Sequence, residues 1–204
     1  MPAPDRPARI GILGGTFDPP HSGHVAAGRD AVETLGLDRL LLVVANDPWQ
    51  KSGRRTVSPA EDRYALTEAL AAEIPRSEAS RLEIDRGGPS YSVETAEAVL
   101  AAAGGGPPPE LFLVVGADLV PELESWERPA DLRRLVTLAV VSRPTTPAPS
   151  VPPGWRAVRV DGPAVDVSSS EVRQQLRDGR SVEGLVPNGV IRCILRRDMY
   201  AVPR

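Results

Sequence analysis

Cysteine is nearly absent from these 204 residues: Cys193 stands alone. No internal disulfide can form, and no cysteine-based zinc cage can be built. Lysine is as scarce. Among 24 basic side chains, Lys51 is the one lysine. A codon bias toward arginine accounts for that scarcity, yet a compact ammonium in a polar loop is also suited to a phosphate. Histidine occurs twice, at His21 and His24. A long apolar run is missing as well. Nothing approaches the roughly 18 residues that span a bilayer, and residues 1–9 lack the apolar segment of a signal peptide. A net charge of −3 gives no general attraction to nucleic acid or anionic membrane. A cytoplasmic protein acting on small molecules is expected, with a homo-oligomer left open.

What the sequence does have is alternation. Residues 8–13, 39–45, 80–85, 111–115, 136–141 and 156–161 read as strands. Helices are expected at residues 22–35, 58–73, 91–103, 168–177 and 187–197. Ser58 to Glu61 and Ser168 to Glu171 have the form of capping boxes. Three glycines and three prolines at residues 104–109 end one helix, and the proline-rich stretch 145–154 reads as a surface loop. Strand and helix in turn mean an α/β fold: a Rossmann-like, doubly wound parallel sheet with helices on both faces. The whole of 1–204 is expected to be one domain, with a sheet core over about 8–165 and a small helical part over about 166–204. In such sheets ligands bind beyond the carboxyl ends of the strands, so the strand-to-helix loops are where to look for chemistry.

The first of those loops is the richest: Gly14-Gly15-Thr16-Phe17-Asp18-Pro19-Pro20-His21-Ser22-Gly23-His24. Its glycines allow close approach of backbone to ligand. The helix that follows offers unpaired N–H groups and partial positive charge, which suit a phosphate. Both histidines lie here, three residues apart, at one helix mouth. The plain alternative is a pair of histidines that cap or line a turn. A zinc site lacks further ligands. The glycine spacing of a dinucleotide fingerprint is absent, as is a Walker loop, which argues against a dehydrogenase.

This segment resembles the signature of the nucleotidyltransferases that share a His-x-Gly-His motif. Its longer spelling is similar to that of bacterial nicotinate mononucleotide adenylyltransferases. Further pieces resemble the same family in the same order. Pro48-Trp49-Gln50-Lys51 stands where many members have Pro-Pro-His-Lys, so one histidine is missing here. Gly88-Pro89-Ser90-Tyr91 through Thr95, Gly116-Ala117-Asp118 with Trp126 downstream, and Val167-Ser168-Ser169-Ser170-Glu171-Val172-Arg173 all look like family segments. The resemblance spans about residues 8–200.

The resemblance implies a reaction: transfer of AMP from ATP to nicotinate mononucleotide, giving nicotinate adenine dinucleotide and pyrophosphate. It implies that His21, His24, Lys51 and Arg173 stabilise phosphate charge, with Mg²⁺ on the triphosphate and no metal held by protein ligands alone. Gly14, Gly15, Thr16, Phe17, His24, Gly116, Asp118, Ser169, Ser170 and Arg173 would hold ATP. Asp18, Lys51, Tyr91, Thr95 and Trp126 would hold the acceptor. Nicotinamide mononucleotide and pantetheine phosphate remain alternative acceptors, and a nucleotide-binding protein without catalysis remains an alternative function.

Overall fold

A computed structural model of the chain describes residues 6–48, 57–104, 107–142, 150–162 and 167–200. Among the described residues, six strands form one sheet: β1 (Arg9–Gly15), β2 (Arg39–Val44), β3 (Ser77–Ser80), β4 (Glu110–Gly116), β5 (Val136–Ser142) and β6 (Ala157–Asp161). Their order is β3-β2-β1-β4-β5-β6, and every neighbouring pair is parallel. The chain winds outward from β1 to β3, returns to lay β4 against β1, then winds outward the other way. β1 and β4 therefore flank the switch point, where ligands bind in such sheets.

The strands are apolar because both faces are covered. Leu40, Leu42 and Val44 of β2 enter one core, beneath α1 (Ser22–Leu35) and α2 (Ala60–Ala71). Leu41 and Val43, pointing the opposite way, enter a second core with α4 (Ser92–Ala102) and α5 (Pro129–Leu135). This is the two-residue period of a strand expressed as two layers of helix. The remaining helices are α3 (Leu82–Arg86), a 3₁₀ helix (Ala117–Ser125), α6 (Ser169–Arg177) and α7 (Asn188–Arg196). Cys193 is buried in α7, as a small apolar residue would be.

Some boundaries follow directly from local chemistry. Gly36 ends α1 in the left-handed conformation, and its N–H donates to the carbonyls of Val32 and Glu33. Ser168 caps α6, its hydroxyl accepting the N–H of Glu171 at 3.2 Å. The expected cap at Ser58 does not form. Pro59 takes the cap position, which leaves Ser58 one residue outside the helix, with its carbonyl accepting from Arg63. The expected strand at 80–85 is also displaced. The strand is Ser77–Ser80, paired with Leu40 to Val43, and Leu82 opens a helix. A four-residue edge strand reading Ser-Glu-Ala-Ser has no apolar alternation to show; it is fixed by its ladder with β2.

Candidate active site

β1 runs out through Gly14 and Gly15 into the loop that precedes α1, while β4 runs out through Gly116 into the 3₁₀ helix. Between them opens a cavity of about 470 Å³. Of the residues singled out in the sequence, Gly14, Gly15, Thr16, Phe17, His24, Tyr91, Asp118, Trp126 and Ser169 line it. They come from four separate stretches of chain. A Cβ at Gly14 would meet no atom within 4 Å, so the backbone there is open to a ligand. At Gly15 a Cβ would stand 3.0 Å from the ring of Phe17, which is buried and holds a left-handed backbone with φ of 50°. A non-glycine residue adopts that conformation at a cost of about 1–3 kcal/mol, which the surrounding loop must hold.

Among the described residues, four side chains hold it. Arg63 of α2 donates to the carbonyls of Thr16 and Ala45. Arg173 of α6 donates to the carbonyl of Asp18 and, at 3.0 Å, to Ser170 Oγ. Ser169 Oγ donates to the carbonyl of Pro19 at 2.9 Å. The phenol of Tyr200, near the far end of the chain, donates to Asp18 Oδ1 at 2.8 Å. The loop thus comes preset by elements far away in sequence.

The two imidazoles differ. His24 lines the cavity, and its Nδ1 accepts the backbone N–H of His21 at 3.2 Å. In the neutral ring that bond assigns the proton to Nε2, making it a donor. His21 packs against it, ring centres 3.9 Å apart, and does not line the cavity. Burial pushes the pKa of His21 down to about 4, so at pH 7 its ring is neutral. Desolvation disfavours the cation of this ring. Gly23 leaves room for this pair: a Cβ there would crowd His21 Nδ1 at 3.1 Å.

Several other residues expected at the site do not line the cavity. Asp18 is buried, its carboxylate turned to Tyr200. Thr95 is buried and donates to Glu83. Gly116 lies under Asp118, whose Oδ1 would collide with a Cβ at 116. Arg173 is buried against the Asp18 carbonyl and Ser170 is exposed beside it; neither lines the cavity. Lys51 falls outside the described residues. The cavity wall also includes Ser90 and Ser92, from the segment quoted above, and Glu83 and Glu127, which the sequence reading did not single out. Ser90 and Ser92 belong to the segment around Tyr91, and Ser90 Oγ accepts the N–H of Asn46 at 2.9 Å. Glu83 gave no signal, since it sat inside a misplaced strand.

Residues 12–175 match the model of the family described as cytidylyltransferase-like. A protein of Corynebacterium kroppenstedtii named "Probable nicotinate-nucleotide adenylyltransferase" is 40% identical over 195 residues, covering 94% of this chain and 90% of the relative. One of the same name from Thermus thermophilus is 42% identical over 192 residues, covering 94% and 99%. The chain belongs to the nicotinate-nucleotide adenylyltransferases of the cytidylyltransferase-like family. The family fold is matched by a solved structure, the Plasmodium falciparum nicotinic acid mononucleotide adenylyltransferase complexed with NaAD. Its TM-score is 0.75 at 15% identity, covering 95% of this chain and 97% of that one.

Proposed function

We propose that the chain transfers the AMP part of ATP to the phosphate of nicotinate mononucleotide, releasing pyrophosphate and forming nicotinate adenine dinucleotide. The observation that carries the reading is one cavity at the switch point, joining the glycine loop and His24 to a wall bearing Tyr91 and Trp126. An oxygen of the acceptor phosphate attacks the α-phosphorus of ATP. The bond from that phosphorus to the bridging oxygen breaks, and the oxygen leaves with its electron pair on pyrophosphate. Both reactants are anions, so the protein's task is to position them and to stabilise negative charge.

His24 Nε2–H donates to an α-phosphate oxygen. Gly14, Gly15, Thr16 and Phe17 form the floor against which ATP lies, with Asp118 and Ser169 beside it. Arg173 adds fixed positive charge from behind the loop, and Lys51 supplies an ammonium to a phosphate. Tyr91 and Trp126 enclose the pyridine end, where an indole stacked on a flat ring adds roughly 0.5–1.5 kcal/mol beyond area burial. Among the described residues no group of three His, Cys, Asp or Glu side chains is arranged to hold a metal. Mg²⁺ fits this donor set as the counter-ion carried by ATP, where it would neutralise phosphate charge. Residues 1–204 act as one unit, with about 166–204 completing the ATP side. The partners are small molecules, and the compartment is the cytoplasm. Among the described residues no helix is long and apolar enough to cross a membrane.

Pyrophosphate release from ATP with a panel of acceptors tests the reading. Nicotinate mononucleotide should be used fastest, ahead of nicotinamide mononucleotide and pantetheine phosphate. His24→Ala should lower kcat on the order of 10²–10³-fold while the protein still melts cooperatively. A folded His24→Ala protein with near wild-type turnover rules out the role given to His24. ATP binding without pyrophosphate release would instead favour a non-catalytic nucleotide binder.

A further inference from the structure

Glu83 is a buried acid on the cavity wall that the reaction scheme leaves unused. It sits in α3, only 6% exposed, and lines the cavity. One carboxyl oxygen accepts the hydroxyl of Thr95 at 2.6 Å. Thr95 is itself buried, in the first turns of α4; its hydroxyl also lies 3.3 Å from the carbonyl of Tyr91, and the shorter bond is the one to Glu83. Among the described residues Glu83 has no cationic partner. A carboxyl group has room for about four incoming hydrogen bonds, and one hydroxyl leaves most of that capacity open. Buried acceptor capacity is costly to leave unmatched. The chain has placed it on the wall of a cavity, where a ligand can match it.

We infer that Glu83 recognises the ribose hydroxyls of the acceptor nucleotide; this rests on the reading of the cavity as an adenylyl-transfer site. The chemistry of the acceptor leaves little choice. At neutral pH the phosphate and the carboxylate of nicotinate mononucleotide only accept hydrogen bonds, and its pyridinium ring has no N–H. Its two ribose hydroxyls are its only donors. An acid on the wall therefore attracts the sugar and repels both anionic ends, which sets the direction in which the mononucleotide lies. Glu83 and Tyr91 of the acceptor wall both belong to the stretch of chain between β3 and β4. The glycine loop and Ser169, assigned to ATP, enter from β1 and α6.

The test is steady-state kinetics on the full chain with nicotinate mononucleotide and its 2′-deoxy and 3′-deoxy analogues. The wild type should use at least one deoxy analogue less well, on the order of ten- to a hundredfold in kcat/KM. Glu83→Ala should raise KM for nicotinate mononucleotide by a similar factor, leave KM for ATP within about twofold, and erase the discrimination between ribose and deoxyribose. Glu83→Gln preserves shape and can still bond Thr95, so it should fold even if the alanine variant does not, and should lose part of that discrimination. Variants that discriminate as the wild type does, or that raise KM for ATP instead, overturn the assignment. A wild type inactive on nicotinate mononucleotide overturns the functional reading itself, a result separable from the first because it needs no variant.

Discussion

At the scale of single residues, His21 shows how burial decides what a side chain can do. Its folded pKa of about 4 lies below the value of about 6.5 expected in an unfolded chain. As pH falls, the unfolded state takes up this proton first. The contribution of His21 is therefore whole above about pH 6.5 and declines as pH drops toward 4. Over that window the loss amounts to roughly 3 kcal/mol. Urea unfolding at pH 7.0 and pH 4.5 should show the wild type losing more stability than His21→Asn, by about that amount. Equal losses would mean the ring is not buried and neutral. Gly116 makes a different point. A Cβ there would collide with the carboxylate end of Asp118 rather than with backbone. Gly116→Ala should therefore leave the melting temperature almost unchanged while swinging Asp118 off the cavity wall. Its expected signature is a severalfold rise in KM with an unaltered fold by circular dichroism.

At the scale of elements, α2 reaches into the site through one side chain. Arg63 is 1% exposed, and its guanidinium donates to the carbonyls of Thr16, Ala45, Asn46 and Ser58. It ties the glycine loop to the loop after β2 and to the entry of its own helix. A lysine keeps the charge but has three donors on a single nitrogen and cannot span these carbonyls. Arg63→Lys should cost about 2–3 kcal/mol from unsatisfied buried carbonyls. It should also lower kcat/KM at temperatures where the protein is still fully folded, measured by melting and turnover on one preparation. None of this is visible in the residues 58–73 as a sequence, where Arg63 looks like a solvent-facing helix position. The sequence was informative where local chemistry is sufficient. The bounds of α1 could be read from a helical pattern, the start of α6 from Ser168, and β2 from a nearly continuous apolar run. The contiguous segment 14–24 announced itself for the same reason. The sequence was silent where distant partners decide. β3 exists by virtue of β2, Ser58 lost its cap to a neighbouring proline, and Glu83 faces the cavity because Thr95 holds it. Whether Asp18 or Arg173 points into the site or stands behind it depends on Tyr200 and Ser170, which the spacing of motifs cannot convey.

At the scale of the whole molecule, the last residues described return to the first loop. Ser22 N–H donates to the carbonyl of Leu185 at 2.8 Å, Arg197 pairs with Asp62 at 2.6 Å, and Tyr200 donates to Asp18. Stretches of chain some 182 residues apart meet on the turn that presents His24. The phenol of Tyr200 is held above its ordinary value, first by burial and then by the nearby Asp18 carboxylate. An acid whose folded pKa is raised keeps its proton longer when folded than when unfolded. The stability it lends is whole below the unfolded value of about 10 and is lost as pH climbs beyond it. From pH 9 to 11 the wild type should therefore lose stability more steeply than Tyr200→Phe. At pH 7 the same variant should be weaker by about 1–2 kcal/mol for want of one donor to a buried carboxylate. Hydrogen exchange should quicken in residues 17–21 and 197–200 together, because each end of the bond holds the other. Exchange that quickened only near residue 200, with residues 17–21 as protected as before, would show that the signature loop stands without the chain end.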